Sequence, residues 1–588
     1  MTTEEKSTSA PTIGLSPVAF VLIALALLVY SAALCVNPAR ANDLFWQLRT
    51  GQLIAVQHII PHQDTYSWTR TGTSWVAHEW LAFALFWICY AKLGFGGIWL
   101  MTVAITIAIM VVFYTLVLKE TSRASVSGGK GAPATALLLT AFAAVVAGAF
   151  FQPRPHLFTY LFCLLTLAVL MKVRRESASA VGQDAKRRSE RALWLLFPVF
   201  VLWANLHAGV IIGLGLLAAF AIGDAAVEFV RARGGLEPAG YPWRAVALST
   251  GACFVATLMT PYGIQEYQNF AATVSNSTVL DVVAEWASPN FHDAFGKLFE
   301  AYALLIVAAA FLTKLRHDPT ELAVTVVLVH EALIGSRNVP IFVFLGTVLM
   351  GRHIQSSLIR LLNGNRLPEE NGLVVLPPDS LFGPSPSIIV AMALFVVLGM
   401  AAMLRTAETL KQVAPAEGST INRLALASIQ YGDYPSAAVD FIERERFPTK
   451  MRMYNTYDDG GFLIWRMPER PVFADSRADV YFGPNFAEVR KVTQGTLAWR
   501  DVMDQHGVDF IVSPVSEAQS RGYLAAPDWA LVYVDSPDID KHKSTYESNN
   551  TFIFVRRTAE YAPLISRCRH DCPELTHMQS YSQYLSLR

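Results

Sequence analysis

The stretch NDLFWQLRTGQLIAVQHIIPHQDTYSWTRTGTSWVAHEWLAFALFWICYAKL, residues 42–93, decides how the rest of the chain is read. It lies between two apolar runs of membrane-spanning length, Ser16–Val36 and Gly97–Leu118. It gathers Asn42, Asp43, Gln47, Arg49, His58, His62, Asp64, His78 and Glu79, groups that are costly near hydrocarbon. Its last part, Glu79–Leu93, is apolar but carries Trp80, Trp87, Tyr90 and Lys92. That mixture suits a helix lying at the membrane surface. The alternative is an ordinary span, with another crossing hidden elsewhere.

Working outward, the 588 residues are 53% hydrophobic and 16% charged, with 47 basic and 47 acidic side chains. The mean hydropathy is +0.35. Such a chain is neither an ordinary soluble protein, nor disordered, nor a basic nucleic-acid binder. The hydrophobic excess ends near residue 405, which predicts a multispan membrane domain over 1–405 and a soluble α/β domain over 406–588. Further candidate spans are Ala134–Phe151, His156–Met171, Ala192–Leu206, Gly209–Val230, Val246–Thr260, Leu298–Thr313, Thr320–Ile334, Val339–Met350 and Ile388–Leu404. The expectation is about eleven α-helical spans plus the interfacial helix.

Lys and Arg of short loops favour the cytoplasmic side. Lys119, Arg123 and Lys130 share one loop, Lys172 to Arg191 another, and Arg231, Arg244, Lys314, Arg352 and Arg360 mark later ones. These fall on one side only if Glu79–Leu93 does not cross. The loops around 37–96, 152–155, 205–208, 261–297 and 335–338 then face outside, together with the tail.

Those outside loops mix carboxylates, imidazoles, amides and guanidinium groups. Asp43 is the sharpest candidate: a carboxylate there can take a proton from an acceptor hydroxyl or hold a divalent cation. A plain helix N-cap explains it equally well. Arg154 and Arg337 suit phosphate contact, or solvated span ends. His78, Glu79, His156, Asn205, His207 and Glu285 are candidate substrate contacts. Each has a bland reading, such as a helix-start charge for Glu79 or interhelical hydrogen bonds for Asn205 and His207. The metal question stays open, with a divalent cation as one possibility.

Other signals are weaker. Gly209, Gly213 and Gly215 read as close helix packing, and Asp224 and Glu228 as solvated groups at a span end or, alternatively, as an ion-coupled pair. Cys35, Cys89, Cys163 and Cys253 read as small hydrophobes. Cys568 and Cys572 suggest a disulfide in an oxidising compartment, ahead of a zinc site with His570 or His577. In the tail, Thr420–Phe447 reads as helix broken at Gly432–Pro435, and Asn485–His506 as helix. Gly461–Trp465, Pro471–Ala474, Asp509–Val512, Leu531–Val534 and Thr551–Val555 read as strands. Asp458–Gly461 and Asp475–Asp479 read as polar turns that bind an acceptor, close over the membrane site, or simply turn the chain.

The order of these features resembles the GT-C superfamily of membrane glycosyltransferases, in its aminoarabinose-transferase and protein O-mannosyltransferase branch. That branch places an acidic residue after the first span, then a Gly and Ile-Pro, an interfacial helix and the second span. Here these are Asp43, Gly51, Ile60-Pro61, Glu79–Leu93 and Gly97–Leu118. A group of bacterial multispan relatives is more similar still, through Asp43/Trp46/Arg49/Gly51, Pro61-His62-Gln63-Asp64-Thr65-Tyr66-Ser67 and Trp75-Val76-Ala77-His78-Glu79-Trp80. Segments around Arg154, Trp203–His207, Glu285–Pro289, Gly460–Trp465 and Asp475–Asp479 match it too. The resemblance implies transfer of a sugar from a polyprenyl-phosphate donor to an extracytoplasmic glycan, lipid or protein acceptor. It implies a location in the bacterial inner membrane, with no nucleic-acid partner. Asp43 becomes the catalytic base. One departure stands out: Arg154 and His156 occupy the second outside loop, where better-known branches often add a carboxylate. A non-catalytic envelope protein with the same fold is the competing expectation, and a transporter ranks below it for want of internal repeats.

Overall fold

The computed structural model describes residues 28–36, 41–124, 132–275, 284–363, 369–370, 373–374, 420–429, 431–481, 499–514, 526–534 and 551–571, with a few isolated positions between them. The chain packs as two compact units. One comprises Met1–Asn37, Trp99–Thr260 and Val283–Lys411; the other comprises Pro38–Ile98, Pro261–Val282 and Gln412–Arg588. The loss of hydrophobic excess near 405 therefore marks a change of composition. In packing, the tail shares its unit with the opening loop and with residues 261–282.

The first unit is helical. Among the described residues, six helices are long and apolar enough to cross a membrane: Trp80–Ser122, Ala132–Phe150, His156–Ala178, Val210–Arg233, Ala294–Leu312 and Ser336–Leu361. The chain is thus a multi-pass membrane protein. Three further expected spans form shorter helices, Leu196–Leu206, Trp243–Thr257 and Pro319–Ile334. The first of these is entered through a 3-10 turn at Arg191–Leu195. The helix Val339–Asn363 runs beyond the expected end at Met350, so Arg352 and Arg360 sit on it rather than in a loop. Most of Ile388–Leu404 and about half of Ser16–Val36 lie outside the described residues.

The Trp80–Ser122 helix contains a break. Gly94 adopts φ +61° and ψ −153°, a left-handed backbone that a side chain would disfavour. It separates the segment read as interfacial from the segment read as the second span. Small residues behave as expected at two of the three glycines on the Val210–Arg233 side. A Cβ at Gly213 would meet the Trp203 ring at 2.4 Å and one at Gly209 the Thr159 hydroxyl at 2.3 Å, whereas Gly215 faces open space.

Asp224 is not solvated, contrary to expectation, and Glu228 is half-buried. Asp224 is fully buried and accepts two bonds from Arg174, at 2.9 and 2.7 Å. Arg174 also reaches Asp318 and Glu321, and Thr320 donates to Asp224 at 2.9 Å. Glu228 accepts the backbone N–H groups of Ala239 and Tyr241. Buried charge is tolerated here because each carboxylate has several donors.

The second unit contains a four-stranded mixed sheet. Its strands are β1 (Met453–Asn455), β2 (Phe510–Pro514), β3 (Trp529–Val534) and β4 (Thr551–Arg556), in spatial order β1-β2-β4-β3. Only β1 and β2 are parallel, with Met453 opposite Phe510. Helices Thr420–Ser428 and Ser436–Arg444 flank the expected break, and Trp499–Gln505 is the described part of the expected 485–506 helix.

Two strand expectations need correction. Pro471–Ala474 stays out of the sheet and makes a single parallel bridge, Val472 to Ser67. Gly461–Trp465 is the body of a helix, Tyr457–Arg466. Thr456 caps that helix by accepting from the Asp459 N–H, and Asp458 and Asp459 suit its positive end. The two glycines remain because nothing larger fits. A Cβ on Gly460 would lie 2.1 Å from the Ala474 carbonyl, and one on Gly461 2.4 Å from the Asn42 carbonyl.

Candidate active site

The helix Asn42–Gln57 carries the opening motif. Its N-cap is Ala41, which makes no side-chain capping bond, so Asp43 lies in the first turn and is not the cap. The Asp43 carboxylate instead meets the tail. Ser476 Oγ donates to Asp43 Oδ1 at 2.6 Å. Trp46 Nε1, one turn along the same helix, donates to Ser476 Oγ at 3.0 Å and to Asp43 Oδ1 at 3.3 Å. Asn42 Nδ2 donates to Asp458 Oδ1 at 2.9 Å. Gly51 lets this helix approach the next: a Cβ there would overlap the Phe83 carbonyl at 2.0 Å. Phe45 and Trp46 fill the interface, with ring centroids 5.1 Å from Phe462 and 5.2 Å from Phe83.

The Asp475–Asp479 segment is pinned by a buried guanidinium. Arg477 donates from Nε and Nη2 to the two oxygens of Asp475, each at 2.7 Å, and from Nη2 to Asp64 Oδ1 at 2.6 Å. It lies over the Trp75 ring at 4.5 Å and the Tyr66 ring at 4.9 Å. Asp64 folds its own turn, accepting from the Tyr66 and Ser67 N–H groups and the Ser67 hydroxyl. Asp64 thus both closes a turn and takes part in the ion pair. Arg477 Nη1 and Gln47 Oε1 are buried without a hydrogen-bond partner in the structure.

His78 and Glu79 stand in the same unit. Glu79 is buried and accepts from Gln47 Nε2 at 3.5 Å. His78 Nε2 is 3.8 Å from Glu79 Oε1. Burial opposes the imidazolium, but the Glu79, Asp479 and Glu266 carboxylates outweigh it and raise the His78 pKa. Burial likewise raises the Asp479 pKa, against the pull of His78 and Arg477.

The remaining expected site residues belong to the first unit. Arg154 pairs with Glu285. Burial alone would raise the Glu285 pKa; Arg154, His156 and Arg337 together hold it below the usual range. Arg337 stacks on the Trp286 ring at 4.5 Å. His156 Nε2 bonds the Phe150 carbonyl at 2.6 Å. Arg154, His156 and Arg337 thus gather around one carboxylate.

Asn205 and His207 have structural work. Asn205 Nδ2 donates to the carbonyls of Val201 and Met259. His207 Nδ1 accepts the Gly209 N–H at 3.0 Å, so the Thr159 hydroxyl, 2.7 Å away, donates to the same nitrogen. Trp203 Nε1 donates to Thr159 in turn. The bland interhelical reading fits both residues.

Ser476, Arg477 and Asp479 take part in the site but read from sequence as members of a polar turn. The only signal was the repeat of acidic and basic groups in Asp475–Asp479, which turn formation explains equally well. Cys572 and His577 lie outside the described residues, so the Cys568 pairing does too. Among the described residues, no group of three or more His, Cys, Asp or Glu side chains is arranged to hold a metal ion.

With this geometry in hand, the class of fold can be stated: the chain has a GT-C-like fold. It is similar to the archaeal oligosaccharyltransferase AglB from Archaeoglobus fulgidus, solved in complex with an inhibitory peptide and a dolichol-phosphate. The TM-score is 0.52 at 11% identity, over 85% of this chain and 69% of that one. The apo form of the Archaeoglobus fulgidus oligosaccharyltransferase gives 0.50 at 12% identity, over 84% and 69%. ArnT from Cupriavidus metallidurans, solved with undecaprenyl phosphate, aligns over 92% of this chain and 99% of that one at 13% identity and a TM-score of 0.46. No family model and no curated protein sequence matches the chain.

Proposed function

We propose that this protein is a membrane glycosyltransferase that moves a sugar from a polyprenyl-phosphate donor to an extracytoplasmic acceptor, in a bacterial inner membrane. The observation that carries the reading is Asp43. On a GT-C-like fold, its carboxylate stands in the first turn of the helix after the first apolar run, held by Ser476 and Trp46.

In this mechanism Asp43 takes the proton of an acceptor hydroxyl as the oxygen attacks the anomeric carbon. The bond from that carbon to the phosphate oxygen breaks, and its electron pair leaves with the polyprenyl phosphate. Arg154 and Arg337, gathered with His156 around Glu285 in the first unit, are assigned to binding a phosphate group. His78 and Glu79 are assigned to the sugar or acceptor. Asn205 and His207 are assigned to holding the helices that carry the first unit. The Glu79–Leu93 segment lies at the outer membrane surface, and the tail is extracytoplasmic.

The test is mass spectrometry of lipids copurifying with the protein, followed by transfer from the sugar-bearing lipid so identified. Asp43→Asn is expected to remove most of the turnover, on the order of 100-fold or more, the range of a general base. Full turnover by that variant refutes the assignment. Absence of any sugar-bearing lipid, with loss of cellular function on tail deletion alone, favours a non-catalytic envelope protein.

A further inference from the structure

The hydrogen bonds around Asp43 have only one consistent direction. A Trp indole N–H donates only, and a carboxylate accepts only. Ser476 Oγ lies between them, 3.0 Å from Trp46 Nε1 and 2.6 Å from Asp43 Oδ1. It accepts the indole proton and gives its own proton to Asp43. The serine is therefore no nucleophile in this arrangement; its hydroxyl is committed to one oxygen of the carboxylate.

The segment that carries Ser476 is fixed on both sides. Arg477, the next residue, is fully buried in its bonds to Asp64 and Asp475, and its backbone N–H donates to Asp475 Oδ1 at 3.0 Å. Tyr481 donates to Asp475 Oδ2 at 2.9 Å. The Ser476 carbonyl accepts from the Tyr457 hydroxyl at 2.9 Å. Asp64 belongs to the opening loop and Tyr457 to the helix whose Gly461 lies against Asn42. Residues more than 400 positions apart in sequence thus hold one hydroxyl against one carboxylate.

We propose that Ser476 is a positioning residue for Asp43: the tail supplies the hydroxyl that orients the carboxylate, and Arg477 with Asp64 anchors the segment that carries it. The inference rests on the reading of Asp43 as the base for its meaning in catalysis, but its geometry is testable without any donor or acceptor. It makes the tail part of the active site rather than a platform beside it.

The experiment is carbodiimide labelling of the full-length protein in detergent, with glycine ethyl ester as the trapping amine and peptide mass spectrometry as the readout. A carboxylate relieved of a charge-assisted hydrogen bond is a better nucleophile toward the reagent. Labelling of Asp43 is expected to rise roughly tenfold in Ser476→Ala, the scale of one charge-assisted bond, and to return near the native level in Ser476→Thr, which keeps the hydroxyl. The exposed Asp501 serves as the internal control and is expected to label equally in all three proteins. A general loosening of the fold would raise labelling of the buried Asp459 and would not be reversed by threonine. Equal Asp43 labelling in the native protein and Ser476→Ala overturns the proposal, as does a threonine variant that labels like alanine. The base reading is decided separately, by transfer with Asp43→Asn, so failure of one is distinguishable from failure of the other.

Discussion

Arg477 Nη2 and Asp64 Oδ1 lie 2.6 Å apart, 413 positions distant in sequence, and neither side chain is exposed to solvent. Arg477 also bonds both oxygens of Asp475, so two carboxylates share one guanidinium. Removing the cation leaves both buried without it. Arg477→Ala is expected to destabilise the protein by about 3–5 kcal/mol, the range for breaking a buried ion pair from one side. Arg477→Lys is expected to recover only part of this, since an ammonium cannot fork across two partners. Thermal unfolding in detergent, followed by tail-domain proteolysis, checks both; a mild Arg477→Ala would mean that water replaces the guanidinium.

Two titrating groups give opposite pH dependences. His78 has a raised pKa because Glu79, Asp479 and Glu266 outweigh burial, so folding favours its protonated form. Its contribution is complete below the unfolded value near 6.5 and is lost as pH rises through the raised folded value. The stability difference between native protein and His78→Gln is therefore expected to be larger at about pH 6 than at about pH 8.5. Glu285 is held below the usual range by Arg154, His156 and Arg337, against its own burial. Its contribution is present above its unfolded value and fades as pH falls. Glu285→Gln should cost stability at neutral pH and little in acid. Unfolding midpoints across the pH range check both signs.

Arg174 makes a third prediction, in the membrane unit. It bonds Asp224 in a forked geometry and reaches Asp318 and Glu321, which belong to other parts of the chain. Asp224 has no exposure at all. Arg174→Ala is expected to cost about 3–5 kcal/mol, and the double variant Arg174→Met with Asp224→Leu less, because the fully buried Asp224 charge is then removed while Glu321 keeps Arg352 and Asp318 keeps the Tyr241 hydroxyl. Unfolding of the three proteins in the same detergent checks this. Equal losses in the single and double variants would show that packing, not charge, dominates.

The six long apolar helices among the described residues and the helix of the opening motif were legible because their signals are local. Apolar runs report helices directly, and Gly94 sits where the interfacial and spanning segments were divided. What stayed hidden depended on long-range partners. Asp224 reads as a solvated span-end charge until Arg174 is placed beside it. Gly461–Trp465 reads as a strand because short apolar runs do not distinguish strand from buried helix. The deciding groups, the Thr456 cap and the carbonyls of Ala474 and Asn42, lie outside the run. Ser476 was the least legible of all. A serine in a polar turn carries no periodicity, and its partner lies 433 positions away.

The close approach of two backbones provides the most specific test of how Asp43 is placed. Gly461 lies against the start of the Asn42–Gln57 helix, where an added Cβ would stand 2.4 Å from the Asn42 carbonyl and 3.1 Å from the Trp46 ring. By helix propensity alone, alanine at this position would stabilise the Tyr457–Arg466 helix by about 1 kcal/mol. Here the methyl must displace backbone rather than a flexible side chain, and overpacking of this kind costs about 1–3 kcal/mol. The displaced atoms belong to the residue just before Asp43 and to the indole that holds Ser476. Gly461→Ala is therefore expected to lower transfer more than its loss of stability explains. Gly51→Ala, which would overlap the Phe83 carbonyl at 2.0 Å on the other side of the same helix, is expected to act in the same direction. Gly215→Ala is the matched control, because its Cβ meets nothing within 4 Å. Turnover measured at a temperature where all three proteins remain folded separates misplacement from unfolding. Native turnover in Gly461→Ala would mean that the helix start gives way without moving the carboxylate.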